Sequence, residues 1–303
     1  MTAVRLENVT KTFGAHTAVN DLSLEVPAGT IYGFIGPNGS GKTTTLRMIM
    51  HILHPDRGTI VVLGEKSVIA ANERVGYLPE ERGLYKQMKV RDILRFYAEL
   101  KGMRRPGPVV DAWLARLDLT AWANKKVQAL SKGMSQKVQF IATVVARPSL
   151  VLLDEPFSGL DPVNAEVLRE AVLQLKREGT TVIFSTHDMA IAEKMCDFLF
   201  MIYRGKKVLD GTLESIQEAY GSDTVRVRLD GFQGSWEELP GVASVRDLGR
   251  WQELRLDRHG DSQQLLTALM KRGRVEHFEV TRPSLHDIFV RIARPESEES
   301  QHA

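Results

Sequence analysis

Up to about residue 80 the apolar residues come in strict alternation or short unbroken runs, the spacing of strands. From Val90 to Ala146 they adopt the three-and-four spacing of helices. Val4 to Val9 reads as a short strand, and Leu22, Leu24 and Val26 alternate with polar residues in a second, half-buried one. Pro27, Ala28 and Gly29 turn the chain into an apolar run, Thr30 to Ile35, and Leu46, Ile49, Met50 and Leu53 then mark one face of a helix. Pro55 and Gly58 lead into a strand from Thr59 to Leu63. Another, Val75 to Leu78, stops at Pro79 and Glu80 before an exposed loop, ERGLYKQM.

From Val90 to Ala146 the chain reads as a mostly helical insertion, with Ile93, Leu94, Tyr97 and Leu100, then Trp113, Leu114 and Leu117, at helical spacing. Leu150 to Leu153 are four consecutive apolar residues, as in a strand buried on both faces of a parallel sheet. A helix from Pro162 to Glu178 ends at Gly179, and Thr180 to Phe184 forms another buried strand. Phe198 to Tyr203, the turn Arg204 and Gly205, Lys206 to Leu209, and a helix through Tyr220 complete an α/β unit over residues 1–220.

Around Gly221 the pattern resets. Val225, Val227 and Leu229 alternate with arginines, Leu254 and Leu256 do likewise, Leu265, Leu266, Leu269 and Met270 mark a helix, and Phe278 and Val280 a strand. Ser284 and Asp287 form a capping box before a helix with Leu285, Ile288, Phe289 and Ile292 on one face. Residues 221–293 thus predict a small α+β domain, and the polar stretch 294–303 a disordered tail.

The 303-residue chain carries 40 basic and 38 acidic side chains, a formal net charge of +2, so no global field recruits nucleic acid or anionic lipid. Its one cysteine, Cys196, excludes a disulfide framework and reads as a buried structural thiol in a reducing cytosol. The N-terminus lacks the apolar core of a signal peptide, and nowhere do the roughly 18 apolar residues needed to cross a bilayer run together. A membrane role would therefore need a partner.

The chemistry concentrates at strand ends. Gly36, Pro37, Asn38, Gly39, Ser40, Gly41, Lys42 and Thr43, followed by Thr44, stand between an apolar strand and a helix, the context of a phosphate-binding loop. Glycines let successive N–H groups point inward, and the loop delivers a phosphate to a helix N-terminus. Lys42 would reach the β- and γ-phosphates, and the Thr43 hydroxyl would help hold Mg²⁺. Asp154 and Glu155 close the strand Leu150 to Leu153, at the sheet edge where open α/β folds bind ligands. There the chain turns, so two carboxylates can converge, one holding Mg²⁺ and the other taking a proton from water. His187, in the run Ser185 to Asp188, is the one histidine of eight at such a strand end. Ser131 and Gly133, in LSKGMSQK, open a helix and form a second candidate anion site, although read alone they are simply a cap. Phe13, in a polar loop, either stacks on adenine or tucks onto the core.

In order, the chain carries the phosphate loop, a strand to Pro79 and Glu80, then LSKGM, LLDEP, SGLD and STHD. Over roughly Met1 to Tyr220 it resembles the ATP-binding cassette of the ABC superfamily. GYLPEERGLY, LSKGMSQKVQ and PSLHDIFVRIA are similar to the ABC-2 type exporter ATPases of the sodium-export and YhaQ-like group. The resemblance implies a P-loop NTPase fold: a RecA-like core with an antiparallel β subdomain, a helical subdomain at about 84–148 and a C-terminal accessory domain. It also implies roles. Phe13 would stack on adenine; Asp154 would be the magnesium-side carboxylate; Glu155 the general base; and His187 the switch on the γ-phosphate. Ser131 and Gly133 would contact ATP held by a second cassette, with a homodimer as the expected form and head-to-tail closure as the power stroke. The partners implied are integral-membrane permease subunits of the ABC-2 type, received in a groove near Arg82, Gly83, Leu84 and Tyr85. The cassette would then sit peripherally on the cytoplasmic face of the membrane.

Two departures from the family pattern stand out. Glu80 occupies the place of a usual glutamine, putting an acid near the expected Mg²⁺. LSKGM replaces LSGGQ, so Lys132 and Met134 stand for a glycine and a glutamine, and Lys132 either attracts phosphate or faces solvent. The alternatives to a transporter subunit are a soluble cassette, such as one serving cluster assembly, and a nonhydrolytic ATP sensor. Intact Lys42, Asp154, Glu155 and His187 oppose the sensor.

Overall fold

The structure is a computed structural model and describes residues 1–65, 74–81, 83–220, 224–257 and 260–293. Arg82 and the tail 294–303 lie outside the described residues. The chain divides into two compact units, Met1–Thr212 and Leu213–Ala303.

In the first unit, β1 (Thr2–Phe13), β2 (His16–Pro27) and β4 (Arg57–Val62) form an antiparallel sheet in the order β2-β1-β4. The β1–β2 hairpin extends past the short strand expected at Val4–Val9, pairing Lys11 with Val19, Thr12 with Thr17 and Phe13 with His16. Register shifts along the hairpin break the two-residue alternation, and this hides its far end from a reading of periodicity. A six-stranded sheet has the order β5-β6-β7-β3-β8-β9. It comprises β3 (Ile31–Ile35), β5 (Val75–Leu78), β6 (Leu150–Asp154), β7 (Thr181–Thr186), β8 (Phe198–Tyr203) and β9 (Lys206–Gly211). All pairings are parallel except β8 with β9.

Every residue of β3, β6 and β7 is buried, which is why these strands read as unbroken runs. Alternate residues feed two cores. Ile31, Val151, Leu153, Val182 and Phe184 pack with the helical insertion, whereas Tyr32, Phe34, Leu150, Leu152 and Ile183 pack with β1, β2 and β4. The insertion consists of α2 (Val90–Leu100), α3 (Gly107–Arg116) and α4 (Lys132–Val144), after α1 (Lys42–Ile49). Trp113 meets Phe140 edge-on at 5.9 Å and ties α3 to α4. The unit also contains α5 (Pro162–Arg177), capped by Asp161, and α6 (Met189–Met195), capped by Asp188. The sulfur of Cys196 packs where a side chain on Gly33 would stand, and burial pushes the thiol pKa well above its ordinary value.

The second unit opens with α7 (Leu213–Ala219), where Gln217 donates a 3.0 Å hydrogen bond to the Pro283 carbonyl. Its sheet has the order β11-β12-β10-β13, formed by β10 (Thr224–Asp230), β11 (Val242–Asp247), β12 (Gln252–Leu256) and β13 (Arg274–Thr281), all antiparallel. Leu265 and Leu269 of α8 (Ser262–Met270) pack on Val225, Val227, Leu254 and Leu256. The final helix, α9 (Leu285–Ala293), starts at the capping box, with Asp287 N–H donating to Ser284 Oγ at 3.2 Å and Ser284 N–H to Asp287 Oδ2 at 3.3 Å.

Candidate nucleotide-binding site

β3 ends at Ile35 and the loop that follows is squeezed between neighbouring backbones. A Cβ on Gly36, whose φ is 149°, would stand 2.2 Å from the Ile202 carbonyl oxygen, and one on Gly41, φ 113°, 2.5 Å from that of Ala18. Only glycine fits either place. Gly41 is the N-cap of α1 and supplies no side-chain cap, so the first-turn N–H groups keep their donors for a ligand. Lys42 is buried and its ammonium donates to the loop's own Gly36 and Pro37 carbonyls at 2.7 and 3.1 Å. Burial pulls this ammonium below the ordinary lysine pKa, against the opposing pull of the Glu155, Asp154 and Glu80 carboxylates. The Ser40 hydroxyl is buried without a protein partner.

The loop borders a cavity of about 470 Å³ lined also by Phe13, Asn38, Gly39, Thr43, Thr44, Glu80 and Glu155. Phe13 is 48% exposed at the end of the hairpin, with Lys11 Nζ 5.6 Å from its ring centre, so it is not tucked onto the core. A face of the ring is open to a planar group. Glu80 also lines an adjoining cavity of about 370 Å³ together with Lys132, Gln136, Asp154 and Glu155.

The acids arise from the β6–β7 register, in which Asp154 pairs with Ser185. Asp154 is buried, and its Oδ1 accepts hydrogen bonds from Thr43 Oγ1 at 3.1 Å and Ser185 Oγ at 2.5 Å. Oδ2 is buried without a partner. Successive residues of a strand point to opposite faces. Glu155 escapes this rule because its φ is +49°, a left-handed conformation that non-glycine residues seldom adopt. Its N–H donates to both Ser185 Oγ and the Ser185 carbonyl, at 3.0 and 3.2 Å. The turn brings Glu155 Oε1 to 2.9 Å from His187 Nδ1 and 3.8 Å from Lys42 Nζ. The two acids have no lysine beside them in sequence, but one from the phosphate loop stands beside them in space.

Magnesium keeps several waters and is held by one or two carboxylates together with substrate phosphates. The unpartnered Asp154 Oδ2 and the adjacent Thr43 hydroxyl suit such an ion. Among the described residues no group of three or more His, Cys, Asp or Glu side chains forms a metal cage. Together these groups can bind a polyphosphate, hold a cation against it and direct a carboxylate toward an attacking water.

Ser131 and Gly133 are not among the residues lining the phosphate-loop cavity. Ser131 caps α4 by accepting the Met134 N–H at 3.2 Å, and Gly133 faces the side chains of Leu160 and Asn164. Lys132 lies across Gly159, its ammonium 2.7 Å from where a Cβ there would be. Two residues escape a motif reading. The buried Gln136 side chain donates to the Pro156 carbonyl behind the acids, and the Ser185 hydroxyl touches both acids. A serine among the apolar residues of a doubly buried strand is the signal for the latter, since a buried hydroxyl requires a partner.

A family model described as ABC transporter matches residues 19–158, and one described as the ATP-binding protein DrrA1-3-like C-terminal domain matches residues 211–293. The uncharacterized ABC transporter ATP-binding protein YhaQ of Bacillus subtilis is 42% identical over 287 residues, covering 94% of this chain and 96% of that protein. Nod factor export ATP-binding protein I of a Rhizobium species is 32% identical over 309 residues, with 98% of each chain covered. A solved structure described as the ATP binding subunit of an ABC transporter superposes with a TM-score of 0.67 at 29% identity, covering 72% of this chain and 93% of that one. No helix among the described residues is long and apolar enough to cross a membrane. The chain belongs to the ATP-binding proteins of ABC transporters, the ATPase subunits that drive transport.

Proposed function

We infer that this ATPase drives export through a separate membrane permease of the ABC-2 type, two cassettes closing head to tail on ATP and Mg²⁺. The observation that carries the ATPase chemistry is the convergence of four side chains beside the phosphate loop: Glu155 Oε1 stands 3.8 Å from Lys42 Nζ and 2.9 Å from His187 Nδ1, and Thr43 of the loop donates to Asp154. In this reading Lys42 and the backbone of residues 36–44 hold the phosphates, Thr43 and Asp154 hold Mg²⁺ with Glu80 nearby, and Phe13 stacks on adenine. Glu155 accepts the proton of the attacking water and His187 contacts the γ-phosphate. Ser131 is exposed, and neither it nor Gly133 lines this chain's own phosphate-loop cavity, which supports their service to a second copy of the chain, so that hydrolysis needs the dimer. Residues 1–220 act as the cassette and 221–293 as an accessory domain that supports packing or dimerisation.

Export is favoured by relatives named for Nod factor export and linearmycin resistance. Near the loop after β5, the exposed rings of Tyr85 and Phe96 meet edge-on at 6.2 Å, an apolar ridge suited to a permease segment from a cytoplasmic position. The test is a Glu155→Gln chain expressed in its native cell, trapped with ATP and Mg²⁺ and recovered from detergent-solubilised membranes. This variant is expected to bind ATP, to hydrolyse it at least about a hundredfold more slowly, and to accumulate as a dimer bound to a multi-span protein. Recovery of soluble partners alone, from a chain that still dimerises, removes the transport reading and leaves a soluble cassette.

A further inference from the structure

We propose that Ser185 is a positioning residue for the ATPase site, its single hydroxyl orienting the metal-side carboxylate and the general base together. The inference rests on the roles given above to Asp154 and Glu155. Ser185 is fully buried in β7, where the register sets it beside Asp154. Its hydroxyl can donate one hydrogen bond while accepting another, and it does both. It donates to Asp154 Oδ1 at 2.5 Å and accepts the Glu155 N–H at 3.0 Å.

Each bond fixes a direction. Thr43 and Ser185 both donate to Oδ1, which fixes the carboxylate and leaves Oδ2 unpartnered. Thr43 is expected to turn its own oxygen to the metal, whereas Ser185, set in the sheet, can hold Oδ1 without it. The second bond concerns the backbone. A left-handed φ is unfavourable for glutamate, and such a conformation persists only where its surroundings determine it. Here the Glu155 N–H is clasped by the hydroxyl and the carbonyl of one residue. Without that turn the Glu155 side chain would point to the opposite face of the sheet from His187. Losing the hydroxyl leaves the weaker 3.2 Å bond to the carbonyl and a single donor on Oδ1.

The test compares Ser185→Ala, Ser185→Cys and Ser185→Thr in the full chain. The measurements are turnover, Mn²⁺ affinity in the presence of ADP by electron paramagnetic resonance, ADP affinity in EDTA, and melting temperature. The alanine and cysteine variants are expected to lose turnover and Mn²⁺ affinity by about tenfold each, the scale of one hydrogen bond to a charged group. ADP affinity without metal should stay within about twofold, and threonine, which keeps the hydroxyl, should restore most of both losses. Cysteine preserves the shape of serine and decides the matter if alanine does not fold. The proposal is overturned if either variant keeps parental turnover and Mn²⁺ affinity, if metal-free ADP affinity falls in step, or if threonine behaves as alanine does. Asp154→Asn and Glu155→Gln are measured alongside. Full Mn²⁺ affinity in the first or full turnover in the second removes the underlying roles, and the proposal with them, whatever Ser185 shows.

Discussion

Around the phosphate loop the cassette leaves buried polar atoms without partners, whereas the second unit pairs its charges between strands and onto the helix α9. Asp154 Oδ2, Ser40 Oγ, Tyr77 Oη and Arg91 Nε are orphans in the first unit, and the first two lie in or beside the phosphate loop. In the second, Arg226 meets Glu253 at 2.9 Å, Arg228 meets Glu276 at 2.7 Å, and Arg246 meets Asp287 at 2.9 Å. No buried side-chain atom lacks a partner among the described residues of that unit. Burying a polar group without a partner costs free energy, so orphans gathered beside one cavity mark a place for a ligand. Among its described residues the second unit meets that cost with its own side chains.

The contrast can be broken most forcefully at Lys42. Lys42→Ala removes the cation from among three carboxylates, and ATP affinity should fall at least about a hundredfold in titrations with a fluorescent analogue. Normal affinity would dismiss the phosphate loop as the site. Next in size is Leu254→Ala, which opens a cavity under the second sheet at a cost of about 2–5 kcal/mol to that unit. Chemical denaturation should report an earlier transition while ATP affinity stays at the parental value, and a matching loss of ATP affinity would mean that the two units do not divide the work as described. The smallest effect concerns acid. Asp287 is partly buried, which raises its pKa, but the Ser284 hydroxyl and N–H and the Arg246 guanidinium outweigh this and hold it below the ordinary aspartate value. A carboxylate depressed in the folded state stabilises it above the unfolded pKa of about 4, and the contribution fades as pH falls through the folded value. The stability of the second unit should therefore decline as the pH falls below about 4, and Asp287→Asn should flatten that slope. An unchanged slope would show that the paired charges contribute nothing there.

Much of this arrangement was legible from residue order. Leu150 to Leu153 announced a doubly buried strand because both faces of β6 are covered. Phe13 left two readings open, since a lone aromatic in a polar stretch carries no sign of which way it faces; the hairpin's length decided its exposure. β11 went unseen because Val242–Asp247 is largely exposed and offers little alternation. Ser185 was passed over for a different reason. Reading the strand as Thr180 to Phe184 left Ser185 at its very end, and its place beside Asp154 depends on pairing with a residue 31 positions away. Local periodicity carries no information about such a register. Nor does it foretell the positive φ of Glu155, which is imposed by Ser185 and not by a glycine.

That backbone angle has an effect on what the protein ignores. With Glu155 swung between Lys42 and His187, the phosphate-loop cavity carries an anion of its own. Orthophosphate entering there must compete with that carboxylate for the Lys42 ammonium. A nucleotide offers a base, a sugar and a chain of phosphates to the same cavity, and each further contact helps it to win that competition. One dihedral thereby raises the threshold that a small anion has to clear.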